Sequence, residues 1–160
     1  MEYNILSASV KIVEEPHEIY SFPANSASMG NPLSIFYVDD NPIDSWLSVA
    51  FFEHYGIANE VVTATNGVDA FKVILEYYEK NLCLPQVVIA DLIMPKMDGF
   101  DFLKKVEALP FYSKELTKLI LITEDMADED IERAERLQIN NVLLKPLDIN
   151  ELYKIIGPKA

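Results

Sequence analysis

From Leu33 onward the chain alternates between two hydrophobic rhythms. Short runs rich in apolar and β-branched residues occur at Ser34–Val38, Glu60–Ala64, Gln86–Ala90, Lys118–Ile122 and Asn141–Leu144. Between and after them, apolar residues recur three or four positions apart. Trp46, Val49 and Ala50 follow the first run, and Phe71, Ile74, Leu75 and Tyr78 the second. Phe102, Leu103 and Val106 follow the third, Ile131, Ala134 and Leu137 the fourth, and Leu152, Ile155 and Ile156 the last. The short runs suit strands, and the wider spacing suits helices that bury one stripe. Five strands alternating with five helices predict an α/β fold, a five-stranded parallel sheet with helices on both faces. Several of the runs are almost continuously apolar, as strands covered on both sides should be.

Helix signals sit where this scheme needs them. Asn41 can cap the first helix, Pro42 follows at a position where its missing N–H costs nothing, and Asp44 lies near the positive end of the helix. Gly56 stands where that helix must stop, and Asn66-Gly67 turns the chain into the second, with Asp69 in its first turn. Residues 1–32 read differently: they contain Pro16, Pro23 and Pro32, a Ser/Ala/Asn stretch from Ser21 to Ser28, and one weak strand pattern at Ser7–Val13. They are expected to form a loosely ordered N-terminal extension, with residues 33–160 making one domain.

Charge narrows the function. Thirteen Lys and Arg stand against 26 Asp and Glu, a net charge of −13. Such a field repels nucleic acid and anionic membrane surfaces, so neither is expected as a partner. Cys83 is alone, which excludes an internal disulfide and suits a reducing compartment. With His17 and His54 the only histidines, any metal would be a hard cation held by oxygen. No basic leader or long apolar span is evident, and the expected location is the cytoplasm.

The chemistry gathers at the strand ends. In an open α/β sheet, ligands sit outside the carboxyl ends of the strands. The first run ends in Asp39-Asp40, the third in Asp91, the fourth in Thr123 and the fifth in Lys145. Carboxylates brought to one rim repel one another, and one lysine offsets only part of that charge. Mg²⁺ would complete the balance, and an ammonium, a hydroxyl and a divalent cation together suit the oxygens of a transferring phosphoryl group. A carboxylate is a competent nucleophile for such a transfer. Singly, these residues have plainer readings: a helix cap, a satisfied backbone group, a solvated loop. Their joint occurrence, each at a strand's end, favours the site.

Asp39-Asp40-Asn41, the segment Asp91-Leu92-Ile93-Met94-Pro95-Lys96-Met97-Asp98-Gly99, then Thr123 and Lys145-Pro146 together resemble the receiver domain of two-component response regulators, of the single-domain, CheY-like type. The resemblance covers about residues 33–157. It implies a flavodoxin-like sheet of order 2-1-3-4-5. It further implies that Asp91 accepts a phosphoryl group, that Asp40 ligates Mg²⁺ with help from Asp39, Asp91 and the backbone carbonyl of Ile93, and that Thr123 and Lys145 contact the phosphoryl group. The Lys145–Pro146 bond would be cis. The donor would be a histidine kinase or His-phosphotransfer protein, and autophosphatase activity would be slow at most.

Two positions leave the family pattern. Val142 stands three residues before the lysine, where an aromatic is usual, and Glu124 follows the threonine, where a small residue is usual. They keep alive an alternative, an interaction module of receiver fold with little phosphorylation. Residues 124–135 hold seven acids against Arg133, which reads either as a solvated helix or as a docking face for a basic partner. With no DNA-binding motif after the fifth helix, the expected output is protein docking or phosphorelay, with a homodimer left open. A haloacid-dehalogenase type of phosphatase is disfavoured, because the first strand lacks the required D-x-D-x-[TV] pattern.

Overall fold

The structure is a computed structural model; it describes the backbone of residues 2–5, 8–12, 17–21 and 33–157, with side chains over 18–21 and 33–157. Three short strands come first, β1 (Glu2–Ile5), β2 (Ala8–Ile12) and β3 (His17–Ser21). An alternating series follows: β4 (Leu33–Val38), α1 (Pro42–His54), β5 (Ala58–Ala64), α2 (Gly67–Asn81), β6 (Val87–Asp91), α3 (Gly99–Glu107), β7 (Lys118–Thr123), α4 (Asp128–Leu137), β8 (Val142–Leu144) and α5 (Ile149–Ile156). The five predicted strands are all present, each within two residues of its expected ends. They lie parallel in the spatial order β5-β4-β6-β7-β8, which is 2-1-3-4-5 counted from β4.

The N-terminal segment widens this sheet. β3 pairs antiparallel with β5, and β2 and β1 continue outward, also antiparallel. The expected Ser7–Val13 strand corresponds to β2, whereas the apolar pattern gives no sign of β1 or β3. In β3 only Ile19 and Tyr20 are strongly apolar, so its strand form comes from pairing (Tyr20 with Val61, Ile19 with Val62) rather than from propensity. The expected loose order of the remaining stretches, 6–7, 13–16 and 22–32, lies outside the described residues.

Alternation along each strand feeds two cores. Phe36, Val38, Val62, Val88, Ala90 and Leu121 face α2, α3 and α4, where they meet Val73, Ile74, Phe102, Leu103 and Ala134. Ile35, Tyr37, Val61, Ile89, Ile122 and Leu143 face α1 and α5, packing with Val49, Phe52 and Leu152. Edge-to-face ring pairs mark both sides, Phe36 with Phe102 and Tyr37 with Phe52. A one-residue slip of any strand would exchange these two sets, so the register of the strand ends is firmly set. Helix starts follow the expected chemistry: Asn41, Asn66, Asp98 and Asp148 each cap a helix with a side-chain oxygen.

Candidate functional site

Register places the charges. Tyr37, Ile89 and Leu143 point to the α1/α5 core, and Asp39, Asp91 and Lys145 each lie two residues further along the same chain segments. Period-two alternation therefore sends all three toward one side of the rim. There the Lys145 ammonium donates to Asp39 Oδ2 at 2.8 Å, Asp44 Oδ2 at 2.9 Å and Asp91 Oδ2 at 3.2 Å. An ammonium has three N–H groups, and each finds a carboxylate. The ion cluster is largely shielded: the side chains of Lys145, Asp39 and Asp91 are 14%, 0% and 11% exposed. Burial works against charge on Lys145, but hydrogen bonds to Asp39 and Asp44 and the charges of Asp39 and Asp91 outweigh it, raising its pKa. The Lys145–Pro146 bond is cis.

Asp39 is heavily committed. Its Oδ2 also accepts from the Tyr37 hydroxyl at 3.1 Å, and its Oδ1 accepts the Asn41 N–H at 2.9 Å, pinning the turn into α1. Asp91 is buried beside it. Desolvation, then repulsion from Asp39, lifts the Asp91 pKa to about 6 despite Lys145. Asp40 stays exposed to solvent at the same rim. Asp39, Asp40 and Asp91 each offer one oxygen, all within 4.8 Å of one another. This all-oxygen donor set fits a hard divalent cation, and its negative charge exceeds what Lys145 can balance.

The remaining expected residues surround this cluster. Thr123 closes β7, but its hydroxyl donates to the Asp125 carbonyl at 2.9 Å, within its own turn. Lys145 N–H donates to the Thr123 carbonyl at 2.8 Å, tying the ends of β7 and β8 together. Ile93 lies two residues past Asp91 and is 75% exposed. Where its loop enters α3, Gly99 is required by close approach: a Cβ there would sit 2.4 Å from the Asp91 carbonyl oxygen. Glu124 lines a cavity of about 560 Å³ with Asp44, Ser48, Phe51, Lys145 and Leu147. Two members of the cluster escape the sequence reading, Asp44 and Tyr37. Asp44 reads as a helix-end charge and Tyr37 as a core residue. The signals were there: Asp44 lies in the first turn of a helix that begins at the rim, and Tyr37 shares a strand face with Asp39.

The pattern of matches decides the family. Residues 35–157 match the response regulator receiver domain. The chain belongs to that family. Among relatives, the receiver is 27% identical over 128 residues to the probable methanogenesis regulatory protein FilR2 of Methanothrix harundinacea, covering 79% of this chain and 80% of that one. It is 29% identical over 129 residues to the probable chemotaxis protein CheY of Rhizobium etli, covering 81% and 93%. The solved structure of the bacteriophytochrome response regulator AtBRR is similar at a TM-score of 0.65 and 30% identity, over 79% of this chain and 91% of that one. Receivers are generally phosphoacceptor signalling modules that bind Mg²⁺ at an acidic pocket and interact with histidine kinases or phosphotransfer proteins. Among the described residues, no helix is long and apolar enough to cross a membrane.

Proposed function

We propose that this receiver takes a phosphoryl group on Asp91 in a Mg²⁺-dependent reaction and signals by docking a protein or by passing the group on in a relay. The observation that carries this reading is the convergence of Asp39, Asp40 and Asp91 at one rim, with the shielded Lys145 ammonium bonded to Asp39 and Asp91. A free Asp91 carboxylate oxygen attacks the phosphorus of a phosphohistidine; the O–P bond forms as the P–N bond breaks, and the electron pair of that bond leaves with an imidazole that is neutral because its other ring nitrogen already carries a proton. Asp40 and Asp39 would hold the cation with Asp91 and the Ile93 carbonyl, and the bound metal would supply positive charge to the phosphoryl oxygens. Lys145 would exchange its Asp91 contact for a phosphoryl oxygen. Thr123 would release the Asp125 carbonyl and turn its hydroxyl inward, which ties occupancy of the site to the loop that begins α4. Cytoplasmic location and any dimerisation belong to the same proposal.

The test is direct labelling. Incubation with acetyl phosphate and Mg²⁺ should add one phosphoryl group by intact mass, mapped to Asp91, and EDTA or Asp91→Asn should remove it. Equal labelling of the Asn variant would overturn the assignment. Two observations favour a second reading, an interaction module that is rarely phosphorylated: Glu124 stands at the cavity beside Lys145, and Val142 replaces the usual aromatic. Absence of labelling from both acetyl phosphate and a phosphohistidine donor would select it.

A further inference from the structure

Lys145 has two carboxylate partners besides Asp91, and they differ in kind. Asp39 belongs to the three-carboxylate group suited to a cation, whereas Asp44 lies outside that group. Asp44 projects from the first turn of α1, fixed there by the Asn41 cap, whose Oδ1 accepts the Ile43 N–H at 2.9 Å and the Asp44 N–H at 3.4 Å. Its Oδ2 meets the ammonium at 2.9 Å, with the Asp44 side chain 27% exposed and Lys145 14% exposed. Charge drawn to a cation on Asp39 loosens the hold of Asp39 on Lys145. The hold from Asp44 does not compete with a cation in that way.

We propose that Asp44 is a positioning residue that keeps the Lys145 ammonium over Asp91 when Asp39 is engaged by a cation. This deepens the phosphoacceptor reading and rests on it. Two features strengthen the geometry. The ammonium stem leaves a loop whose backbone is tied to β7 by the Lys145 N–H, so the head group is the part left to be fixed. The anchor also comes from a capped helix rather than from a loop, which gives it a rigid base. A neutral or shortened residue at 44 leaves one ammonium N–H without its carboxylate and lets the head group swing toward the cavity lined by Glu124.

The experiment uses the full chain with isotopically labelled lysine. In the metal-free wild-type protein, Lys145 should give a slowly exchanging ammonium signal by NMR, reflecting three charged acceptors. Asp44→Glu should keep that signal, and Asp44→Ala should lose it, with Asp44→Asn as the second variant should the alanine protein fold poorly. A helix-end charge alone would not change the exchange of Lys145. In parallel, acetyl phosphate labelling at saturating Mg²⁺ should slow about tenfold in the Ala variant and recover in the Glu variant. Absence of the signal in wild type, its survival in both Asp44→Ala and Asp44→Asn, or unchanged labelling rates would each overturn the proposal. Failure of the wild-type protein to label at all would instead sink the phosphoacceptor reading, and the metal-free ammonium signal would still decide whether Asp44 holds Lys145.

Discussion

The two halves of the rim at the carboxyl ends of the strands are held by opposite means. At the ends of β4 and β6, Asp39 and Asp91 are buried charges with specific contacts, and Asp40 beside them is exposed. Asp39 is fully buried and serves Lys145, Tyr37 and Asn41 at once, and Gly99 lets the α3 backbone press against Asp91. Past the buried end of β7 and along β8 and α4, burial is lighter. Leu144 is 57% exposed, Val142 is half-buried, Glu124 is exposed, and α4 fully buries only Ala134. Instead, α4 is fastened by charge, with Arg133 gripping Asp98 at 2.5 Å and Asp101 at 2.9 Å while lying over the Phe100 ring. Few buried contacts are the signature of a segment that opens at low cost. The rigid half keeps an electrostatic conflict in place, and the loose half is where relief of that conflict can be expressed. Lys145, joined by its backbone to β7 and by its head group to Asp39 and Asp91, belongs to both.

The largest effect expected from this contrast is on stability in the rigid half. Asp91 has its pKa raised from 3.8 to about 6, first by burial and then by Asp39. Below 3.8 the group is protonated both folded and unfolded and imposes no cost. As pH rises toward 6 the unfolded chain loses its proton first, so this group lowers stability, and above 6 the full cost remains. Asp91→Asn keeps the shape and removes the charge. It should stabilise the metal-free protein by roughly 2 kcal/mol above pH 7, with the gain shrinking toward nothing near pH 4. Urea unfolding at both pH values measures this. A gain independent of pH would mean that the rigid half holds no such conflict.

A smaller effect is expected in the loose half. Arg133→Ala removes a partly exposed bidentate pair and a cation–π contact, together worth about 1 kcal/mol. Asp98 keeps its capping bond to the Asp101 N–H, so α3 should stay intact. Amide exchange over Ile131–Leu137 should accelerate about fivefold, while the β4 and β6 amides stay as they are. Equal acceleration on both sides would erase the distinction between the halves.

The same contrast explains what the sequence discloses. The parallel strands, their order and the residues at their ends are legible because long-range burial imposes a strong pattern: Val87–Asp91 has no exposed position, and a polar residue ending such a run stands out. Asp44 is harder to read as a site residue because its role depends on where the Lys145 head group lies, a contact spanning 101 positions, whereas the Tyr37 hydroxyl meets Asp39 only two residues along its own strand face. β1 and β3 escape for another reason. Their pairing uses main-chain groups that every residue carries, and β3 presents only two strong apolar side chains to advertise it. Thr123 is legible as a rim residue, but its bond to the Asp125 carbonyl is a local choice of rotamer that no spacing encodes.

The smallest effect concerns Glu124, which follows Thr123 in the loose half. It lines the cavity with Asp44 and Lys145, and would face a phosphoryl donor that reached Lys145 through that cavity. A carboxylate repelling a phosphate dianion across about 7 Å of water costs roughly 1 kcal/mol before screening. At physiological salt the Debye length is about 8 Å, which removes more than half of that. Glu124→Ala should therefore speed acetyl phosphate labelling about fivefold at low ionic strength and no more than about twofold at physiological salt. Stability should be unchanged, since the side chain is exposed. A protein donor that brings its own cation to the rim would meet attraction instead, and with it the variant should be the slower one. Rates that match wild type at low salt would make Glu124 a surface residue of the loose half, with no hand in admitting the donor.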